Sequence, residues 1–126
     1  MLRDMSIEHL AEVATRKIIL LTTLGRKTGK PHTVELWFAL HRDKIYLSHE
    51  GDETDWMKNI RKNEQVSFEI ERRRFKGRAY CLKEPAEMWT AKLALYEKYY
   101  GKASKEIVED WFSLSTLFLI EPTTSN

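Results

Sequence analysis

The sequence predicts a mainly β (α+β) fold: six strands in largely antiparallel succession, forming a small closed or partly closed barrel with a few flanking helices. Two observations predict it. The element order reads helix, three strands, helix, two strands, one or two helices, strand. No helix follows each strand, so the crossovers that a doubly wound parallel sheet demands are missing.

Each element has its own reason. "SIEHLAEVATRK" sets Ile7, Leu10, Ala11 and Ala14 at helical spacing behind Ser6, a residue suited to an N-cap. "KIILLTT", Lys17 to Thr23, is short and rich in β-branched residues, which predicts a strand. Gly25, Gly29 and Pro31 mark a turn. "HTVELWFAL" and "KIYLSHE" read as strands joined by the polar "HRD". In "DETDWMKNIRKNE" the period changes: Trp56, Met57 and Ile60 share one helical face, Lys58, Arg61 and Lys62 face water, and Asp52 or Thr54 is placed to cap. "QVSFEI" alternates with Val66, Phe68 and Ile70 on one face, and "RFKGRAYCL" returns beside it. "EPAEMWTAKLALYEKYYG" carries Pro85 near its start and Gly101 after its end, the asymmetry of a helix. A short helix in "SKEIVEDWF", a strand in "STLFLIEP" and a polar tail complete the chain.

With 126 residues the chain suits a single domain spanning 1–126. No apolar run approaches the roughly 20 residues of a membrane span, and Met1-Leu2-Arg3-Asp4 lacks a signal-peptide layout, so a cytoplasmic protein without membrane association is expected. The lone Cys81 agrees with that compartment. A net charge of +2 is too small to argue for nucleic acid by itself. His9, His32, His41 and His49 are scattered without metal-ligand spacing, so no metal site is expected, and no Ser-His-Asp arrangement points to a hydrolase.

"TLGRKTGKPHTVELW" looks like a nucleotide-binding loop. A Walker A loop separates its glycines by four residues, follows the second with Lys-Ser/Thr and opens a helix. Here three residues separate Gly25 from Gly29, Pro31 replaces the hydroxyl, and a strand pattern follows. What remains is a turn carrying Arg26, Lys27, Thr28, Lys30 and His32. The four potential cations among them, Arg26, Lys27, Lys30 and His32, repel one another unless they are solvated or offset by an anion. The turn is therefore either a solvated hairpin tip or a phosphate site.

"LLTTLGRKTGKPHTVELWFAL" followed by "KIYLSHEGDETDWMKNIRKNEQVSFEI" resembles the flavin or deazaflavin-dependent nitroreductase group of the FMN-binding split-barrel superfamily, which also includes pyridoxamine 5'-phosphate oxidase-like proteins. That group shows T-x-G-R/x-K-S/T-G-x-P-R after its first strand, then a Ser-containing strand end and a Trp-x-x-Asn-Leu helix. The likeness runs from Leu20 to Ile70. It implies a six-stranded split barrel, a homodimer, and FMN or the deazaflavin coenzyme F-420 bound in a cleft at the subunit interface. It further implies an oxidoreductase that passes hydride to a small-molecule acceptor, as nitroreductases and quinone reductases do.

By position, the resemblance puts Arg26, Lys27, Thr28, Gly29, Lys30 and His32 at the phosphate end of the cofactor. Thr33 through Trp37, with Thr33, Leu36 and Trp37 as the residues of the site, would run along its ring system. Ser48, His49 and Gly51 would close the opposite side, and Asp55, Trp56 and Asn59 would begin the helix over the site. Tyr96, Tyr99 and Tyr100 are the residues from which a substrate pocket would be shaped; no catalytic acid or base is indicated. The chain departs from the group at His32, where Arg is usual, at Glu35, and in the acidic "HEGDETD". These departures keep two alternatives in view: a barrel that has lost its cofactor, and a non-enzymatic small barrel binding nucleic acid or another polyanion. The second rests on Arg72, Arg73, Arg74, Lys76 and Arg78 interleaved with Phe75 and Tyr80. Nucleic acid is the less expected partner, because such charges commonly guard a sheet edge against aggregation.

Overall fold

A computed structural model describes residues 7–123; Ser6 and the last residues of the polar tail lie outside the described residues. One antiparallel sheet holds seven strands: β1 (Ile19–Leu24), β2 (Pro31–Leu36), β3 (Ala39–His41), β4 (Lys44–Glu50), β5 (Gln65–Ile70), β6 (Arg73–Cys81) and β7 (Ser115–Pro122). Three α-helices accompany it: α1 (Asp55–Lys62), α2 (Pro85–Tyr100) and α3 (Lys105–Trp111). The expected mainly β antiparallel architecture is present, with seven strands where six were expected. The single strand read in "HTVELWFAL" is two, β2 and β3, broken at Trp37 and Phe38.

That break shapes the molecule. The strand order is β2-β1-β5-β6-β7-β4-β3, so β2 and β3 stand at opposite edges although only Trp37 and Phe38 separate them. Three Cα steps span at most about 11 Å, whereas the edges of a flat seven-stranded sheet lie about 29 Å apart. The sheet must therefore curl until its edges approach. The backbone of Phe38 has left both ladders: its N–H donates to the Tyr99 hydroxyl (2.9 Å) and its C=O accepts from Lys98 Nζ (2.8 Å). Partners on α2 satisfy the peptide groups that a strand neighbour would otherwise take.

Curling gives the sheet an inside and an outside. Ile45, Leu47, Phe68, Phe75, Phe118 and Ile120 point into one apolar cluster, closed by Trp56, Met57 and Ile60 of α1. Tyr46, Leu117 and Leu119, the alternate residues of β4 and β7, face a second cluster with Ala91 and Leu95 of α2 and Val108 and Phe112 of α3. Because β4 and β7 are covered on both faces, their sequences read as near-continuous apolar runs rather than alternating ones.

The helices start where expected. Glu84 caps α2 by accepting from the amides of Ala86 and Glu87, Pro85 opens it, and Gly101 ends it at φ 83°. Ser104 caps α3 through the Ile107 amide. Thr54 occupies the N-cap position of α1, yet its buried hydroxyl meets no partner among the described residues. The first segment differs: Ile7–Val13 is a 3-10 helix, and among its described side chains Leu10 and Val13, three apart, are buried while Ala11 is exposed. A three-residue repeat suits that tighter winding. Among the described residues no helix is long and apolar enough to cross a membrane.

Candidate functional site

The turn between β1 and β2 is closed by two backbone bonds, Gly25 N–H to Lys30 O and Gly29 N–H to Gly25 O, both 2.8 Å. Gly29 takes φ 75°, and the Thr28 hydroxyl accepts from the Lys30 amide at 3.2 Å. A Cβ on Gly25 would stand 2.9 Å from His32 Nε2 and 3.1 Å from Thr28 Oγ1, so the missing side chain lets those two residues close on the turn. The amides of Lys27 and Thr28 meet no acceptor among the described residues.

Helix α1 docks beside this turn through a buried polar joint. Asn59, 2% exposed, donates from Nδ2 to Thr23 Oγ1 (3.1 Å) and accepts at Oδ1 from both the Arg26 amide (3.1 Å) and Arg26 Nη1 (3.0 Å). Arg26 Nη2 reaches Asp55 Oδ1 at 3.3 Å. A single amide side chain thus ties β1, the turn and α1 together, and fixes the direction of the guanidinium.

Between turn and helix lies a cleft of about 410 Å³. The structure brings to it Arg26, Lys27, Thr28, His32, Thr33, Val34, Asp55, Trp56 and Asn59, together with Thr23 and Gly25, which were not picked out from sequence as site residues. It places the other candidates elsewhere. Gly29 and Lys30 stand exposed outside the cleft lining, and Leu36 is buried in the core. Ser48 and His49 border a separate cavity of about 530 Å³ with Asp110, Trp111 and Leu114. Gly51 donates its N–H to Leu114 O (2.8 Å) and accepts from the Thr116 hydroxyl (2.6 Å). His49 keeps one link to the cleft, its ring edge-on to Trp56 at 6.4 Å.

Trp37 and the three tyrosines form an aromatic cluster. Trp37, half exposed, stacks on Tyr99 with centroids 4.2 Å apart, and Tyr100 packs against Tyr96 (5.1 Å) and Trp111 (4.9 Å). Trp111, in a helix read only as a helix, is the member missing from the sequence-based set. The Tyr99 hydroxyl is spent on the backbone of Phe38 and Lys17, and burial raises its pKa.

Lys98 sits beside it with Nζ 3.5 Å from the Phe38 ring centroid. Burial lowers its pKa to about 8. Between that value and the ordinary lysine range, the unfolded chain holds a proton that the folded chain has released, so stability rises with pH in this window. Tyr46, pushed up to about 12 by burial and the Glu87 carboxylate, acts in the opposite direction at higher pH. The urea midpoint is therefore expected to climb from about pH 8 to about pH 9.5, and Lys98→Met to flatten that climb. An equally steep rise in the variant would assign it to other groups.

The remaining basic residues are partly spent on ion pairs: Arg73 with Glu12 (3.3 Å), Arg78 with Glu64 (3.1 Å) and Arg16 with Glu71. Among the described residues no three His, Cys, Asp or Glu side chains gather as a metal site would require.

A sheet curled until its edges nearly meet, with a basic turn facing a helix across a cleft, is the split-barrel architecture of the pyridoxamine 5'-phosphate oxidase-like proteins. The family model described as F420H(2)-dependent quinone reductase matches residues 3–108, and the chain belongs to that family. Solved structures agree on the fold. The conserved hypothetical protein Rv2991 from Mycobacterium tuberculosis is 21% identical with a TM-score of 0.77, over 100% of this chain and 86% of its own. An F420-H2 dependent reductase (FDR-A) is 24% identical with a TM-score of 0.63, over 84% and 95%. An FAD-binding protein from Mesorhizobium loti is 17% identical with a TM-score of 0.65, over 97% and 93%. No curated protein matches the chain in sequence.

The cleft fits the anionic end of such a cofactor. Among the described residues the cleft lining holds the cations Arg26 and Lys27, Thr28 with its hydroxyl, and Asp55 as the one carboxylate.

Proposed function

We propose that the protein is a deazaflavin-dependent oxidoreductase that binds coenzyme F-420 with its phosphate in the β1–β2 cleft and exchanges hydride with a small-molecule acceptor of quinone or nitro type. The carrying observation is that Arg26, Lys27 and Thr28 line one cleft beside helix α1, in a chain of this family. When bound, the deazaflavin ring supplies the hydride chemistry. The chain supplies placement: Asn59 aims Arg26, Lys27 adds a mobile charge, and the buried Trp56 indole makes a wall that keeps water from that side. No side chain is required as an obligatory acid or base. The homodimer is part of the proposal, and sedimentation velocity measures it.

The test is titration of the purified protein with F-420 and with FMN, followed by gel filtration to see which chromophore is retained. Lys27 lines the cleft and Lys30 does not. Lys27→Ala is thus expected to weaken cofactor binding about tenfold, the scale of one charge-assisted hydrogen bond, and Lys30→Ala to change it by less than about twofold. Retention of neither chromophore, or a larger loss from Lys30→Ala, would overturn this placement.

A further inference from the structure

Resting on this cofactor reading, we propose that Asp55 sets the charge the cleft accepts, favouring a monoanionic phosphodiester over a dianionic phosphate monoester. Arg26 is held from two sides, by the buried neutral amide of Asn59 at 3.0 Å and by the carboxylate of Asp55 at 3.3 Å. Asn59 is itself anchored on Thr23, so it fixes the guanidinium without help. Asp55 is different: its side chain is 86% exposed and bonds to no other group among the described residues. What it adds to the site is a negative charge at the mouth of the cleft. Its acidic neighbour Glu53 pairs instead with Lys58 (3.7 Å), and neither lines the cleft.

The charge count follows. Arg26 and Lys27 bring two positive charges and Asp55 one negative; with histidine neutral, the cleft carries a single net positive charge. Coulomb energy is linear in the ligand's charge, so a fixed carboxylate penalises a dianion twice as much as a monoanion. In affinity, the factor for the dianion is the square of the factor for the monoanion. F-420 carries its phosphate as a diester with one charge. FMN ends in a monoester with a charge of about −1.5 to −2 near neutral pH. Asp55 therefore tilts the site toward the diester. An acid serving only the dipole of α1 would shift stability without discriminating between ligands.

The experiment compares the full chain with Asp55→Asn, at one pH and low ionic strength, using FMN, its methyl phosphodiester and riboflavin, which share one ring and differ in phosphate charge. Asp55→Asn is expected to tighten FMN about tenfold and the methyl diester about threefold, leaving riboflavin unchanged. Equal changes for FMN and the diester, or none, overturn the proposal. A parallel thermal-shift series with inorganic phosphate and dimethyl phosphate separates the two ideas. If neither F-420 nor any of these flavins binds yet Asp55→Asn still strengthens phosphate more than dimethyl phosphate, the cofactor reading falls and the charge filter stands. If the two anions respond alike, the filter falls.

Discussion

Asn59→Leu is expected to destabilise the protein by about 2–4 kcal/mol, although leucine has the same heavy-atom branching as asparagine. The substitution removes an acceptor from the Arg26 amide and guanidinium and a donor from Thr23 Oγ1, and Thr23 is 1% exposed. Each polar group left behind loses its partner where water reaches poorly, and that desolvation exceeds what the added apolar surface returns. Urea unfolding reads the loss as a lower midpoint at unchanged slope. The same joint aims Arg26, so anion binding in the cleft should weaken as well. Asn59→Asp separates the two effects: it keeps the acceptor for Arg26 and lets the Thr23 hydroxyl donate to it, but adds a negative charge to the cleft lining, so stability should recover more than anion binding. A Leu variant within about 0.5 kcal/mol of the parent would show that the joint carries no net energy.

Local chemistry made much of the fold legible. The strands in "KIYLSHE", "QVSFEI" and "STLFLIEP" lie where their patterns put them, because period-2 alternation or a doubly covered apolar run survives any arrangement of neighbours. The break in "HTVELWFAL" was not legible. Both halves have strand chemistry, and the interruption is imposed by Lys98 and Tyr99, some 60 residues away in sequence. The same holds at the cleft. The Gly-rich basic turn announces itself by charge, and the Trp56 helix by its apolar face. That Asn59 would be buried and spend its amide on Thr23 and Arg26 depends on how α1 docks, which no spacing records. Ser48 and His49 are close to the cleft in sequence logic, since a strand end precedes the helix. The pairing of β4 with β7 instead turns them toward α3.

Phe118→Ala is expected to cost more than any other single truncation considered, about 3–5 kcal/mol. Phe118 is fully buried, lies opposite Leu47 on β4 and Cys81 on β6, and meets the Trp56 ring edge-on at 5.0 Å. Removing the ring leaves a cavity at the crossing of three strands, whose hydrogen bonds resist collapse, so the void closes only in part. Trp56 is the cleft-lining neighbour that would lose its support, because α1 is held on its far side by Asn59 while its near side rests on Phe118. A shift of that indole carries the core defect into the cleft wall, so cofactor affinity should fall along with stability, and tryptophan fluorescence should shift toward a wetter environment. Phe118→Leu refills most of the volume, and its cost is expected to stay under about 2 kcal/mol with the cleft intact. If Phe118→Ala lowered stability as expected yet left fluorescence and affinity unchanged, Trp56 would be positioned by α1 alone, and the barrel core and the cleft would be independent parts of the molecule.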